Sequence, residues 1–193
     1  MLKYTGYIRK IRYYSESSHY IVALLEVEED QELLTMNGYM SNFNDYDKYA
    51  FYGDFEIHPK YGQQFKLDHY EIVLSTDEEE IIKYLSSPLF KGIGPTQAKY
   101  IVDALGENAL SLIKEDKHHL DLVKGMTVAK RELIYEVLTS NDYDQEVTQF
   151  FMGHGISLRH IGIIQETYKE KTLEILQNHP YQLVEDIDGI GFK

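Results

Sequence analysis

The 193-residue sequence lacks cysteine, and this absence excludes disulfides, thiolate nucleophiles, cysteine-bound zinc and iron–sulfur clusters together. Tryptophan is absent too, and basic residues are few. There are 19 Lys and Arg against 32 Asp and Glu, which gives a net charge of −13. A chain this acidic has no broad basic field to attract nucleic acid or an anionic membrane. Any contact with a polyanion must therefore depend on a few local groups.

Long apolar runs are missing as well. The opening residues, Met1–Gly6, are not followed by the apolar core of a signal peptide. No segment approaches the roughly 18 apolar residues that a membrane span needs. We therefore expect a soluble, cytoplasmic protein.

The sequence also lacks the patterns of nucleotide and metal sites. No Walker string G-x-x-x-x-G-K-[ST] occurs, so no ATP-hydrolysing centre is expected in this chain. His118 and His119 are adjacent and would point about 100° apart on a helix, which does not suit a pair of metal ligands. We expect no catalytic residue, no metal and no cofactor in this chain.

The first 75 residues have the composition of β-strands. Twelve of the 17 tyrosines precede residue 85, and Asn42–Asp45 and His58–Gly62 form turn clusters. Several short strands in this length predict a small β-barrel or a meander, and closure is favoured because an isolated meander leaves its edges exposed. The tyrosines could stack on bases, although packing is their commoner role. The predicted strand segments are Tyr4–Tyr13, His19–Val27, Leu33–Met40 and Phe65–Leu74.

After Ser75 the pattern becomes helical. Thr76, followed three residues later by Glu79, predicts a capping box at the start of the first helix. We therefore predict an α+β protein with a β-barrel domain over residues 1–75 and an all-α domain over residues 76–193. A later helix, predicted to end at Gly106, has one buried face made of Ala98, Ile101, Val102 and Leu105.

The helical half contains a repeat built around glycine. A glycine is followed by an apolar residue and then by glycine, threonine or serine, at spacings of 33, 30 and 34 residues. Such self-similarity predicts a repeated helix, tight hairpin and helix, arranged as two double modules over about 77–139 and 144–193. The four copies are Gly92-Ile93-Gly94, Gly125-Met126-Thr127, Gly155-Ile156-Ser157 and Gly189-Ile190-Gly191.

The first and last copies are the best candidates for a phosphate site. Two glycines permit a tight turn and a close backbone approach, and Pro95 suits the first position of the next helix. The backbone N–H groups at that helix N-terminus can bind a phosphate without net positive charge, while Ile93 is predicted to point inward. The candidate DNA-backbone residues are Lys91, Gly92, Ile93, Gly94, Thr96 and Lys99, with Gly189, Ile190 and Gly191 in the last copy.

The two middle copies depart from this pattern because threonine and serine replace the second glycine. We predict that Thr127 and Ser157 act as helix N-caps. Their hairpins, with Gly125 and Gly155, are expected to contact DNA more weakly. Residues 76–193 carry 12 basic and 20 acidic side chains, which also counts against an extensive DNA contact.

These hairpins resemble the helix-hairpin-helix motif of DNA-repair and recombination proteins, which holds the sugar–phosphate backbone without reading sequence. The order of motifs is more specific. The string H-P-K-Y-G-Q-Q-F at residues 58–65 closes the β half, and Y-L-S-S-P-L-F-K-G-I-G-P at residues 84–95 opens the helical half. With N-H-P-Y-Q-L at 178–183 and D-I-D-G-I-G-F-K at 186–193, they resemble the N-terminal region of the RecD-like DNA helicases. This bacterial superfamily 1 group is related to the exodeoxyribonuclease V alpha subunit.

The resemblance implies an oligonucleotide-binding (OB) barrel, then helix-hairpin-helix repeats, then an ATP-dependent motor that moves 5′ to 3′ on single-stranded DNA. The chain stops inside its fourth repeat, so we expect a truncated, non-catalytic front end of a helicase whose motor uses ATP and magnesium. The implied partners are single-stranded or forked DNA, the motor domains and other repair proteins. At Phe55 the family often carries tryptophan, which weakens the case for base stacking there.

Three alternatives remain open. A branch-junction binding protein of the RuvA type also joins a small barrel to helix-hairpin-helix motifs, but it has fewer repeats and lacks the H-P-K-Y-G-Q-Q-F string. A helix-hairpin-helix DNA glycosylase would need a catalytic aspartate, for which Asp116 or Asp121 would have to serve. A protein-interaction module is consistent with the net charge of −13.

Overall fold

The first half of the chain is a closed β-barrel. The computed structural model describes residues 1–179, 181, 182 and 187. The barrel order is β1-β2-β3-β5-β4, in which β3 pairs with β5 in parallel and β1–β2, β1–β4 and β2–β3 are antiparallel. Closure removes the exposed edges and confirms the predicted α+β fold with an OB-type barrel. The strands are β1 (Leu2–Tyr14), β2 (Tyr20–Val27), β3 (Leu33–Tyr39), β4 (Lys48–His58) and β5 (Gly62–Val73).

The barrel core follows the strand period on β2 but not on β4. On β2, Ile21, Ala23, Leu25 and Val27 are buried in strict alternation. Strand β4 was not among the predicted strand segments. Its residues 49–51 are buried consecutively, so β4 lacks the alternation by which a strand is recognised in a sequence.

The second half is helical, as its period predicts. Gly106, at φ +72°, ends the second helix where the sequence analysis places its end. None of the helices described is long and apolar enough to cross a membrane. The helices are α1 (Glu78–Leu85), α2 (Pro95–Leu105), α3 (Ala109–Glu115), α4 (Val128–Thr139), α5 (Asp142–Gly153), α6 (Leu158–Tyr168) and α7 (Thr172–Asn178), with 3-10 turns at Gly106–Asn108, Lys117–Leu122 and Lys169–Lys171.

The predicted start of α1 is wrong by one residue. Asp77, not Thr76, is the N-cap, and its carboxylate accepts a hydrogen bond from the amide of Glu80 at 2.9 Å. The amide of Asp77 in turn donates to the hydroxyl of Ser75 at 3.1 Å. An aspartate caps a helix at least as well as a threonine. The hydroxyl of Ser75 takes the amide of the N-cap residue, which the side chain at the third helical position bonds in a capping box.

The helices build two separate apolar cores. Helices α1–α4 enclose Ile81, Phe90, Ile101 and Ile134, while Val147 and Phe151 of α5 pack with apolar residues of α6. By internal contacts, one compact unit comprises residues 1–44, 49–71 and 143–193, and the other comprises residues 45–48 and 72–142. The division of the chain into domains at Ser75 stays a prediction.

Candidate nucleic-acid interface

Three glycine turns share one backbone geometry. Gly92, Gly125 and Gly155 have φ of +85°, +75° and +76°, in the left-handed region that favours glycine. An apolar residue follows each glycine. The next residue is the extended N-cap of α2, α4 or α6, namely Gly94, Thr127 or Ser157. The repeated helix, hairpin and helix is therefore present in the first three copies, whereas residues 189–191 lie outside the described part of the chain.

In the first hairpin the apolar residue anchors the turn and the residues around it face solvent. Ile93 is 4% exposed and packs in the core of α1–α4. Its amide donates to the carbonyl of Phe90 at 3.1 Å. Lys91, Gly92 and Gly94 are exposed on either side of it, as are Thr96 and Lys99 on α2. The inward orientation predicted for Ile93 is confirmed, and contact of the exposed residues with DNA stays a prediction.

The three N-caps differ in what they leave available for a ligand. Gly94 has no side chain, and no side chain in the described residues caps α2. Thr127 accepts a hydrogen bond from the amide of Lys130 at 3.2 Å, so it is an N-cap as predicted. Ser157 occupies the cap position, but its hydroxyl bonds Nδ1 of His160 at 3.0 Å instead of a backbone amide. Only the first of these caps therefore has no side chain beside the amides of its helix.

The charges at the helix starts distinguish α1 from the three helices that follow glycine hairpins. Glu78, Glu79 and Glu80 lie in the first turn of α1, where a helix dipole favours anions. The first turns of α2, α4 and α6, which follow the glycine hairpins, contain no acidic residue. The positive ends of these three helix dipoles are consequently left without a carboxylate of their own, as a phosphate-binding N-terminus requires.

The first two hairpins lie side by side, joined by Gln97. Its Nε2 donates to the backbone carbonyl of Lys124 at 3.0 Å, and its Oε1 accepts from Nζ of Lys130 at 3.4 Å. A Cβ built on Gly125 would lie 3.4 Å from the same Oε1. The two hairpins and the first turns of α2 and α4 therefore form one continuous surface.

Two lysines of this surface were not predicted from the sequence. Lys124 precedes the glycine of the second hairpin as Lys91 precedes that of the first, and both are exposed. Lys130 lies in the first turn of α4. The repeat spacing of 33 residues, applied to Lys91, would have identified Lys124. Within the described part of the chain, none of Lys91, Lys99, Lys124 and Lys130 is paired with a carboxylate.

A network of charged side chains joins α4 to the 3-10 turn Lys117–Leu122, which precedes the second hairpin. Asp121 accepts from Arg131 of α4 at 2.7 Å and is 2.9 Å from Nδ1 of His118, while Lys117 donates to Glu132 at 2.8 Å. The hydrogen bonds from His118 and Arg131 lower the pKa of Asp121, and the bond from Lys117 is the main reason why the pKa of Glu132 is lowered. Glu132 also replaces the lysine found at the equivalent position 99 of the first hairpin, so it places a negative charge there.

The third hairpin belongs to the compact unit that contains the barrel. Ile161 and Ile164 of α6 pack against Val147 and Phe151 of α5. On another face of α6, a Cβ built on Gly162 would lie 2.5 Å from Cδ2 of His19, between β1 and β2. Glycine at position 162 therefore permits the imidazole to touch the helix backbone.

Two domain families match this chain. Residues 1–75 match the model described as ATP-dependent DNA helicase YrrC, OB-fold domain. Residues 140–193 match the model described as ATP-dependent RecD2 DNA helicase HHH domain. The two matches indicate the N-terminal region of a RecD-like helicase. They confirm the resemblance seen in the sequence motifs, and an OB domain with a helix-hairpin-helix domain from such an enzyme indicates the DNA-binding region of a helicase.

Proposed function

We propose that this chain is a non-catalytic DNA-binding region of an ATP-dependent helicase that moves 5′ to 3′ during DNA repair or recombination. The paired first and second hairpins hold the sugar–phosphate backbone. One observation carries this proposal. The start of α2 has an exposed glycine N-cap, no acidic residue in its first turn and four lysines around it that no described carboxylate neutralises.

The geometry suits a phosphate better than a base. Backbone amides at a helix start and lysine ammonium groups are donors that match the oxygens of a phosphate. Contacts to phosphates fix the position of a protein on DNA and carry no base information. The proposed binding is therefore independent of sequence, and it is local enough to operate in a chain with a net charge of −13.

The rest of the helicase supplies the chemistry in this proposal. No Walker string occurs in the chain, so ATP and magnesium act in the motor and no cofactor is assigned to this region. The proposed partners are single-stranded or forked DNA, the motor domains and other repair proteins. A bacterial helicase acts on the chromosome, so the proposed location is the cytoplasm.

A salt titration tests the proposal. Fluorescence anisotropy would measure the Kd of the chain for fork, duplex and single-stranded oligonucleotides of two unrelated sequences. We expect equal affinities for the two sequences and a steep loss of affinity with salt. Lys99→Ala should reduce the slope of log K against log salt by about one unit.

Lys114→Ala is the matched control, because the ammonium of Lys114 is already paired with Asp142 at 2.6 Å. This variant should leave the slope unchanged. Absence of measurable affinity for any of the oligonucleotides at low salt would contradict the proposal and would favour a protein-interaction module.

A further inference from the structure

One end of the barrel exposes apolar side chains. Strands β1, β3 and β5 begin at this end and β2 and β4 finish there, because β1 is antiparallel to β2 and β4, β2 is antiparallel to β3, and β3 is parallel to β5. Leu2 is 43% exposed, Phe55 is 38% exposed and Ile57 is 84% exposed. We call the surface formed by Leu2, Tyr4, Phe55 and Ile57 the barrel mouth.

The barrel mouth continues the barrel core toward solvent. Phe51, Phe55 and Ile57 share one face of β4, because side chains alternate along a strand. The ring of Phe55 lies 6.2 Å from that of Tyr4 and 5.8 Å from that of Phe65, which is completely buried. Along this face the exposed fraction rises from 1% at Phe51 to 84% at Ile57. An apolar face that belongs to the core inside the barrel is therefore exposed at its mouth.

The opposite end of the barrel differs because a helix packs on it. There a Cβ built on Gly162 of α6 would lie 2.5 Å from the imidazole of His19, which precedes β2. Single exposed apolar residues are common on protein surfaces, whereas neighbouring ones indicate a surface that binds another molecule. The three exposed side chains of the barrel mouth are of the second kind.

An acidic turn borders the barrel mouth. Residues 28–32 join β2 to β3 and contain four carboxylates in five residues, all of them exposed. The turn is held beside the start of β1, since the amide of Glu28 donates to the carbonyl of Thr5 at 2.9 Å. The part of the chain that the structure describes offers no ion-pair partner to three of these carboxylates, namely those of Glu29, Asp30 and Glu32.

The cations at this end of the barrel do not neutralise the acidic turn. Nζ of Lys66 lies 3.5 Å from Glu56, and the terminal ammonium lies 3.4 Å from Asp54. Lys3 and Lys60 lie over tyrosine rings, with Nζ 5.6 Å and 5.3 Å from the ring centroids. The border of the mouth formed by the turn therefore stays negative, and it would repel a phosphate group.

We propose that the barrel mouth binds a basic amphipathic helix of a partner protein. Apolar side chains of that helix pack against Phe55 and Ile57, and its Lys and Arg side chains face residues 28–32. This inference does not rest on the proposed DNA contact of the hairpins. It assigns a protein partner to a different surface of the chain.

Charge and topology select this occupant. Nucleic acid and an anionic membrane would be repelled by the acidic turn. A second copy of the chain would bring the same turn to a symmetric contact, so like charges would face each other. A closed barrel offers no free edge to an added strand, so the partner must contribute side chains. An amphipathic helix presents an apolar stripe with basic residues along its flanks.

Designed peptides test the proposal. The three probes are fluorescein-labelled helices of about 14 residues, or roughly four turns. The first has leucine on one face and lysine elsewhere, the second has glutamate in place of lysine, and the third has alanine in place of leucine. Anisotropy should show saturable binding of the Leu/Lys peptide, about tenfold weaker binding of the Ala/Lys peptide and none of the Leu/Glu peptide. Absence of saturable binding of the Leu/Lys peptide would overturn the proposal.

Ile57→Ser tests the apolar part of the barrel mouth. The side chain is 84% exposed, so the variant should fold as the parent chain does. Its Kd for the Leu/Lys peptide should rise about tenfold. Leu122→Ser is the matched control, because Leu122 is 75% exposed and lies in the other compact unit. An unchanged Kd in Ile57→Ser, or an equal rise in both variants, would remove the mouth from the proposal.

Glu29→Gln combined with Glu32→Gln tests the acidic turn. This double variant should weaken binding of the Leu/Lys peptide and make its Kd less sensitive to salt. Glu78→Gln combined with Glu79→Gln is the matched control, since it removes the same charge from the first turn of α1. Equal losses in the two double variants would show that the net charge of the chain attracts the peptide, and would refute the assigned site.

Single-stranded DNA is the alternative occupant. Phe55→Trp introduces the chain's single indole at the barrel mouth. The Leu/Lys peptide should shift its emission to shorter wavelength, because the bound helix excludes water from the ring. Oligothymidylate should leave the emission unchanged. Quenching by oligothymidylate, or DNA affinity that falls in Ile57→Ser, would assign the mouth to nucleic acid and overturn the proposal. A chain that binds the peptide but no oligonucleotide would contradict only the proposed function.

Discussion

Replacing Gly94 with serine would separate the stability of the first hairpin from its capacity to hold a phosphate. The backbone at Gly94 is extended, with φ of −92° and ψ of 175°, and an added Cβ meets no atom within 4 Å. Serine therefore fits without strain. Its hydroxyl oxygen would accept a hydrogen bond from an amide in the first turn of α2, as Thr127 does from Lys130 in α4. The same side chain would occupy the place that the proposed function gives to a phosphate.

The expected effects on stability and on binding have opposite signs. Serine at an N-cap is better than glycine by a few tenths of a kcal/mol, and the lost freedom of glycine in the unfolded chain adds about 0.5 kcal/mol. For a chain of this size, the sum corresponds to a rise in Tm of about 2 °C. One lost hydrogen bond to a charged phosphate weakens binding by about 1.5 kcal/mol, or about tenfold in Kd.

On the same preparation, calorimetry measures the change in Tm and fluorescence anisotropy with fork DNA measures the change in Kd. Thr127→Gly is the matched reverse change. It removes the bond to the Lys130 amide and adds the freedom of a glycine to the unfolded chain, so stability should fall by about as much as Gly94→Ser raises it, while affinity rises. If Gly94→Ser lowers stability and affinity together, its effect on binding comes from a damaged fold. If it binds the fork as tightly as the parent chain, the phosphate does not occupy this helix start.

Three further predictions concern the fold that supports the site. Gly92→Ala should cost about 1–2 kcal/mol in urea unfolding, because the space around Gly92 is open and only its φ of +85° resists a side chain. Gly162→Ala should destabilise the chain although alanine favours helices, since the new Cβ would lie 2.5 Å from the ring of His19. His19→Ala should remove that penalty, and a stabilised Gly162→Ala would show that the imidazole does not touch α6. The lowered pKa values of Asp121 and Glu132 contribute stability that is fully present above the ordinary values of 3.8 and 4.5 and is lost as pH falls through the lowered values. Asp121→Asn should therefore flatten the acid side of the curve of unfolding free energy against pH, and an unchanged acid limb would show that the carboxylate is not paired in solution.

Local patterns in the sequence predict most of the helical half. These features include the left-handed glycines, the buried Ile93 and the helix end at Gly106. Each depends on residues that are close together in the chain, so a short sequence motif is enough to predict it. The N-cap of α1 was misplaced because Asp77 and Thr76 are both good caps. The choice between them depends on Ser75, whose hydroxyl accepts from the amide of Asp77.

Long-range contacts could not be predicted in the same way. Residues 49–51 of β4 are buried consecutively, so both faces of the strand are covered there. Closure of the barrel covers only the inner face, and nothing in the sequence of the strand indicates that its outer face is covered as well. The bond from Gln97 to Lys124 joins residues 27 apart. Nothing in either hairpin alone indicates that they lie side by side. The ring contacts of Tyr20 with Tyr13 and Tyr39 depend on the register of three strands, whereas composition shows only that tyrosines are abundant.

The distribution of acidic residues decides how a chain with a charge of −13 can bind a polyanion. It contains 32 Asp and Glu, and three of them occupy the first turn of α1. The three helices that follow glycine hairpins have none in their first turns. Potentials at the distance of a hydrogen bond are set by the nearest groups, since charges beyond about 8 Å are screened at physiological salt. The net charge therefore limits non-specific and long-range attraction, while the starts of α2 and α4 and their lysines remain locally positive. Under the proposed function, this strongly acidic region binds DNA at the hairpins and repels it over the rest of its surface.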